Sequence, residues 1–419
     1  MPINKHTLDN GITLISEPVA ATKAAAIGFW FYTGSRDETG ANSGITHFIE
    51  HMLFKGTNAC SARDIARFFD RTGGYVNAFT DREIVCLYAV VPGSAATASI
   101  RMMVEMLVAS SFRNEDIETE RSVIESEILS YLDDPEESCA EWFMETSFAG
   151  AGLSMPIAGT VESVSAIRPC DLRRYHAEIV MRRLECVTLS GSFDENPCVR
   201  ELEALPPAND GPSARRIGEP SSIWVPGTRV KKTRFNQSQI VAGWKLPPIK
   251  TTVDWFEWSA INDILSDTVS SRLFREMREE RGLCYSLSGS VNVFRDFSFL
   301  GVNLSVPPEK TRESVETLNE YTAAFFQKGP TEREVSDARE REIGAITLAS
   351  EDPEYRMKRL ARQFFREGRV QGLERDLAAV RQWSTEALLC RLSSVACQAD
   401  QALCVYAPGK YGKSLGRSR

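Results

Sequence analysis

The chain is poor in histidine, with four in 419 residues, and this scarcity makes their placement informative. No apolar run approaches the roughly 18 residues that a membrane-spanning helix needs, so a bilayer-spanning protein is not expected. The start, Met-Pro-Ile-Asn-Lys-His, lacks the charged-then-apolar pattern of a secretory signal and the Arg-rich amphipathic pattern of a transit peptide. The ten cysteines show no CxxC pairing and no compact disulfide framework, which fits buried thiols in a reducing compartment. A cytoplasmic location is the expectation. A net charge of −8 gives no electrostatic reason for binding nucleic acid.

What is present suits a large enzyme. At 419 residues and 42% hydrophobic content, the chain is long enough for at least two packed domains. The segment Leu205-Pro-Pro-Ala-Asn-Asp-Gly-Pro-Ser213 is rich in Pro, Gly and polar residues and reads as a linker, dividing the chain into 1–212 and 213–419. The halves read as an internal repeat. Leu87-Tyr-Ala-Val-Val-Pro92 precedes a helical stretch from Ala95 to Leu107, and Val302-Asn-Leu-Ser-Val-Pro307 precedes another from Lys310 to Phe326.

Two of the four histidines fall in His47-Phe-Ile-Glu-His51. At about 100° per residue, Ile45, Phe48, Ile49, Met52 and Leu53 share one helix face, and His47, Glu50, His51 and Phe54 the opposite one. One face can anchor while the other carries chemistry. Imidazoles four residues apart can share one metal ion, and neutral imidazole suits zinc. A catalytic zinc takes three protein ligands and leaves a position for water, so another donor is required. His6, near the terminus, and His176, in an arginine-rich stretch where a surface or hydrogen-bonded role fits better, are weak candidates. The helical segment Glu118-Thr-Glu-Arg-Ser-Val-Ile-Glu-Ser-Glu-Ile-Leu129 is a better source. Glu120 and Glu127, two turns apart on one face, could act as ligand and support, and Glu125 also remains open.

With these residues the chain resembles the inverted-motif zinc metallopeptidases of the pitrilysin and insulinase type. The likeness is strongest to the short two-domain branch that includes mitochondrial processing peptidase and its bacterial relatives. That family takes its third ligand from a Glu some seventy-odd residues after the second His. Here residues 52–126, 75 in all, separate His51 from Glu127, within Glu120-Arg-Ser-Val-Ile-Glu-Ser-Glu-Ile128. The resemblance therefore selects Glu127 over Glu125 as ligand, and gives Glu120 an activity-supporting role.

The resemblance spans nearly the whole chain. Leu8–Pro18 and Thr33-Gly-Ser-Arg-Asp-Glu38 look like the family's opening strands, and Gly73-Gly-Tyr-Val-Asn-Ala-Phe-Thr80 like its substrate-binding edge strand. An edge strand can grip an extended peptide through main-chain hydrogen bonds, with Asn77 and Ala78 as the implied contacts. A turn or bulge after the glycine pair is the alternative for Asn77. In the second half, Arg278 and Tyr285 match a seven-residue Arg/Tyr spacing that binds substrate main chain in the family; a salt-bridged helix end before Gly282 is the plainer reading.

The implied fold is α+β: two similar α/β-sandwich domains, each a mainly antiparallel sheet covered by helices. The N-terminal one carries the zinc site and the C-terminal one the Arg/Tyr motif. The implied activity is zinc-dependent endopeptidase cleavage of unfolded peptides or presequences, with Glu50 as general base for the zinc-bound water. Residues 115–141 hold eleven Asp and Glu against Arg121 alone, so basic peptides are the expected preference, with a solvated acidic surface as the alternative. The expected assembly is a homodimer, with Arg278 and Tyr285 serving the partner's zinc site. A non-catalytic or partner-dependent subunit of a processing-peptidase-like complex, or a dedicated leader-peptide peptidase, are the competing readings.

Overall fold

The computed structural model describes residues 3–150, 152–177, 181–207, 223–395 and 399–409. Thirteen strands are described: β1 (Asn4–Thr7), β2 (Thr13–Pro18), β3 (Ala24–Phe31), β4 (Tyr75–Thr80), β5 (Val85–Pro92), β6 (Phe148–Ala149), β7 (Leu184–Gly191), β8 (Ile223–Trp224), β9 (Gly227–Thr233), β10 (Ser238–Leu246), β11 (Ser286–Val293), β12 (Ser298–Val306) and β13 (Gln401–Pro408). They form a six-stranded sheet ordered β1-β2-β7-β3-β5-β4, a five-stranded sheet ordered β11-β12-β10-β13-β9, and the short pair β6-β8. Both large sheets are antiparallel except for one parallel pair each, β2/β7 and β13/β9. The expected α+β architecture with two sheet-containing domains is what the chain adopts.

Two compact units result. The first comprises residues 1–129, 151–220 and 347–372, the second 130–150, 221–346 and 373–419. Residue 212, the expected boundary, lies outside the described residues.

Strict alternation along β3 explains the first unit. Ala25, Ile27, Phe29 and Phe31 point into a core shared with Ile45, Phe48, Ile49, Met52 and Leu53, and with Ile100, Met103, Ile117, Ile124 and Ile128 from later helices. The intervening Ala26 and Trp30, with Ile15, Cys86, Tyr88 and Cys186, face the other way. That second face is covered by the helix Pro353–Glu367 through Met357, Leu360, Ala361 and Phe364. Beside this layer, buried Glu17 of β2 accepts an ion pair from Arg356 Nη1 at 3.0 Å. Gly28 on β3 permits the helix to approach, because a Cβ there would stand 2.5 Å from Met357 Sδ.

The second unit repeats the device. Ile240, Ala242 and Trp244 of β10 join Leu300, Val302 and Leu304 of β12 in a core beneath later helices. The opposite face receives the helix Pro135–Ser147, whose Phe143 would lie 2.5 Å from a Cβ at Gly243. Both face-covering helices begin with Asp-Pro-Glu, in which Asp134 or Asp352 caps the first turn and proline occupies its start. The expected repeat is visible too. Strand β5 runs through a short turn into the helix Ala96–Val108, and β12 into Thr311–Lys328.

One expected strand is corrected. Thr33–Glu38 forms no strand; its centre is a single 3-10 turn, Ser35–Asp37. The turn sinks Arg36 against Glu83 and brings Glu38 to a helix terminus, two buried polar contacts that an extended strand would not place together. His6 lies on β1 rather than in a frayed terminus, and pairs with Glu195 at 3.6 Å. Among the described residues, no helix is long and apolar enough to cross a membrane.

His176 is buried against the Phe112 ring, with centroids 5.0 Å apart, so it is not on the surface. Burial lowers its pKa from 6.5 to about 4, against the pull of a hydrogen bond involving the Leu107 backbone. As pH falls, the unfolded chain takes up the His176 proton first, so this contribution is complete above pH 6.5 and is lost as pH falls toward 4. Between pH 7.5 and 5, His176→Phe should lose about 2 kcal/mol less unfolding free energy than the parent chain, measured by urea denaturation. Parallel pH profiles would contradict this.

Candidate metal centre

The helix Ile45–Met52 is seated from both ends of its environment. Its apolar face is buried in the first core, as the periodicity predicts. At its start, the carboxylate of Glu38 accepts the Gly44 N–H at 2.7 Å and the Thr46 N–H at 2.8 Å, satisfying donors that an α-helix leaves open. Gly44 itself has φ = 88°, a left-handed conformation suited to glycine. Burial pushes the Glu38 carboxyl up to about 8, against the hydrogen bonds from Thr46 and Gly44.

His47, His51 and Glu127 converge, with one ligand atom from each lying within 4.8 Å of the others. The two Nε2 atoms are 3.3 Å apart, and His51 Nε2 is 3.5 Å from Glu127 Oε2. Among the described residues this is the one group of three or more His, Cys, Asp or Glu arranged to hold a metal ion. Glu125 turns elsewhere and accepts Ser165 Oγ at 2.6 Å, so the choice between the two glutamates falls to Glu127. His6 and His176 are not in the group.

Glu120 fixes the second imidazole. Its Oε1 lies 2.9 Å from His51 Nδ1, while its Oε2 pairs with Lys55. With Nδ1–H donating to Glu120, the lone pair of His51 sits on Nε2 and faces the convergence point. Burial works to raise the Glu120 carboxyl, but the hydrogen bonds from His51 and Lys55 carry it below the usual range. Burial likewise works to lower the His51 pKa, yet the Glu120 hydrogen bond and the charges of Glu50, Glu127 and Glu120 raise it. His47 is lowered to about 4, chiefly by burial and then by His51, and its imidazole is therefore neutral at neutral pH.

Two imidazole nitrogens and a carboxylate oxygen at such separations can share one cation. The donor set, two imidazoles and one carboxylate, is that of an open catalytic zinc site. The residues fit the metal.

Glu50 stands beside this group without being part of it. Its Oε2 accepts the Thr80 hydroxyl at 2.8 Å, and burial raises its pKa despite that bond. Thr80 closes β4, which lies at the edge of the first sheet and pairs with β5 alone. Asn77 and Ala78 sit within this strand, and Asn77 Oδ1 accepts the Ala78 N–H at 2.8 Å. Asn77 is therefore part of an edge strand and shapes no turn or bulge. Arg278 and Tyr285 belong to the second unit. The Arg278 guanidinium lies over the Phe274 ring, Gly282 takes φ = 57°, and the Tyr285 side chain is exposed.

Comparison with known proteins follows the same lines. Residues 13–161 match the model of the insulinase family, peptidase family M16, and residues 169–342 that of the peptidase M16 inactive domain. The chain belongs to peptidase family M16. M16 relatives include an uncharacterised zinc protease of Mycobacterium leprae, 30% identical over 91% of this chain and 86% of its own length. Another, from Bacillus subtilis, is 29% identical over 85% of this chain and 87% of that protein. Among solved structures, a Helicobacter pylori protease matches with a TM-score of 0.86 at 17% identity, covering 97% of this chain and 99% of that one. A Pseudomonas fluorescens structure described as a peptidase M16 inactive domain matches at 0.89 with 15% identity, over 98% and 99%. At these identities the two structures establish the M16 fold alone.

Three contributors to the site were not anticipated. Lys55 lies three residues beyond the end of the helix Ile45–Met52, and only its pairing with Glu120 marks it. Thr80 shares a strand face with Ala78 by simple alternation. Glu38 is an acidic residue ahead of a helix start, a capping signal hidden by the expectation of a strand there. Glu120→Gln should keep the fold while lowering zinc affinity about 10- to 100-fold in chelator competition, with Glu127→Gln losing more. Equal affinity in both variants and the parent would remove the assignment.

Proposed function

We propose that the chain is a zinc-dependent endopeptidase acting on unfolded peptides or presequences. The observation that carries this reading is the convergence of His47, His51 and Glu127 beside the non-ligating carboxylate of Glu50. The zinc proteases among its relatives support it.

His47, His51 and Glu127 would hold the ion. A zinc ion held there would supply Lewis acidity toward the attacking water and the scissile carbonyl. Glu50 takes the attacking water's proton on a carboxylate oxygen and delivers it to the leaving amine. Glu120 supports the site by orienting the His51 ring, without touching substrate. The outer edge of β4 offers main-chain hydrogen bonds to an extended peptide, with Asn77 and Ala78 as contacts. Such pairing holds any sequence in extended form, which is why an unfolded segment is the substrate class.

Arg278 and Tyr285 supply donors for substrate carbonyls, and in a homodimer each pair serves the partner subunit's site. Part of the acidic field over residues 115–141 is already engaged: Asp116 pairs with Arg113, Glu118 with Arg121, and Asp133 with Arg234. The remainder favours basic peptides. The protein would work in the cytoplasm. A non-catalytic, partner-dependent subunit is the second reading, and the complete ligand set weighs against it. A peptidase dedicated to one leader peptide differs only in substrate range.

Glu50→Gln should retain zinc and lose activity by at least about 10²- to 10⁴-fold on a mixed peptide library followed by mass spectrometry. Near-parental cleavage by this variant would sink the base assignment. Mixing Glu50→Gln subunits with Arg278→Ala subunits should restore part of the activity; a verified mixed dimer without rescue would contradict the shared site.

A further inference from the structure

Strand β4 carries two layers of side chains, divided by its alternation. Tyr75 and Phe79 face the layer containing Tyr88 and the helix Pro353–Glu367; Tyr75 donates its hydroxyl to Glu354, and Lys358 lies over the Phe79 and Tyr88 rings. Val76 and Ala78 pack on the opposite face, against the core that seats the metal helix. Thr80 continues that second face, and its hydroxyl donates to Glu50 Oε2 at 2.8 Å. The strand that offers its outer edge to a peptide is thus bonded at its far end to the carboxylate proposed to move protons.

We infer that Thr80 is a positioning residue for Glu50: its hydroxyl holds one carboxylate oxygen so that the other is presented to the attacking water, tying the base to the peptide-binding strand. The inference rests on the peptidase reading. A glutamate side chain has three rotatable bonds, and the hydroxyl is donated by a short β-branched residue within a paired strand, whose own rotamers are few. One hydrogen bond to a charged group from such a rigid donor restricts the carboxylate far more than a solvent contact would. Thr80 pairs with Val85 at the last register position of β4 and β5, so no residue intervenes between the paired strand and Glu50.

The test compares Thr80→Val, which keeps the shape and removes the hydroxyl, with Thr80→Ser, which keeps the hydroxyl. Thr80→Val should lower kcat about tenfold or more with KM within twofold, and Thr80→Ser should recover most of the loss. Zinc affinity should match the parent in both. Peptide affinity, measured without turnover in the Glu50→Gln background, should be equal with Thr80 and with Val at 80. Adding Thr80→Val to Glu50→Gln should cause no further loss of residual activity. A kcat within twofold of the parent, a change confined to KM, weaker zinc binding, or no rescue by Ser would each overturn the inference. Cleavage by Glu50→Gln at the parental rate would instead overturn the role of Glu50 itself, a separate result read from a separate variant.

Discussion

The site depends on one hydrogen bond, from His51 Nδ1 to Glu120. Two of the candidate ligands lie on Ile45–Met52 and the third on the helix Asn114–Asp133, so the donor set exists only if these helices keep their relative register. Glu120 and Glu127 are seven residues apart, two helical turns, and thus project from the same face. When Glu120 binds the rear of the His51 ring, Glu127 is brought to its front. The same bond selects the tautomer, and Lys55 holds the second oxygen of Glu120, keeping the carboxylate ionised and its geometry fixed. A single contact therefore sets register, protonation and ring orientation together.

The rest of the first unit keeps that contact in place. The metal helix is held below by Phe48, Ile49 and Met52 in the core and at its start by Glu38. Burying a carboxyl group to cap a helix is costly unless the donors are well placed, and here two backbone N–H groups meet its two oxygens. The sheet underneath is covered on its far face by a helix drawn from later in the chain, which leaves Gly28 no room for a side chain. Cores filled on both faces transmit little slack, and a site needing sub-ångström placement benefits from such rigidity.

How much of this was legible in the sequence depends on whether the signal was local. The metal helix was readable because its apolar residues recur at helical spacing and its chemistry-bearing residues fall on the other face. The candidate ligand Glu127 was separable from Glu125 only through family resemblance, since Glu125 lies in the same helix with the same charge; in space Glu125 turns to Ser165. The β4 edge strand was likewise readable only through that resemblance, since the glycine pair before it suits a turn or bulge as well. The helices that cover the far sheet faces, Pro135–Ser147 and Pro353–Glu367, were not singled out from the sequence, and amphipathic spacing would in any case say that a face is buried and not by which sheet. Thr33–Glu38 was misread as a strand because its fate is decided by tertiary contacts of Arg36 and Glu38 that lie up to 47 positions away. Thr80 and Lys55 escaped because hydroxyls and lysines are common on any surface, and only their partners make them informative.

The central claim is that His47, His51 and Glu127 together hold one zinc ion. X-ray absorption at the zinc edge tests it most directly, on the purified protein and on Glu127→Gln. The account predicts a first shell of two imidazole nitrogens at about 2.0–2.1 Å and carboxylate and water oxygens at about 2.0–2.2 Å, with the protein carboxylate lost in the variant. A sulfur in the first shell, a third imidazole, or an unchanged spectrum in Glu127→Gln would contradict it.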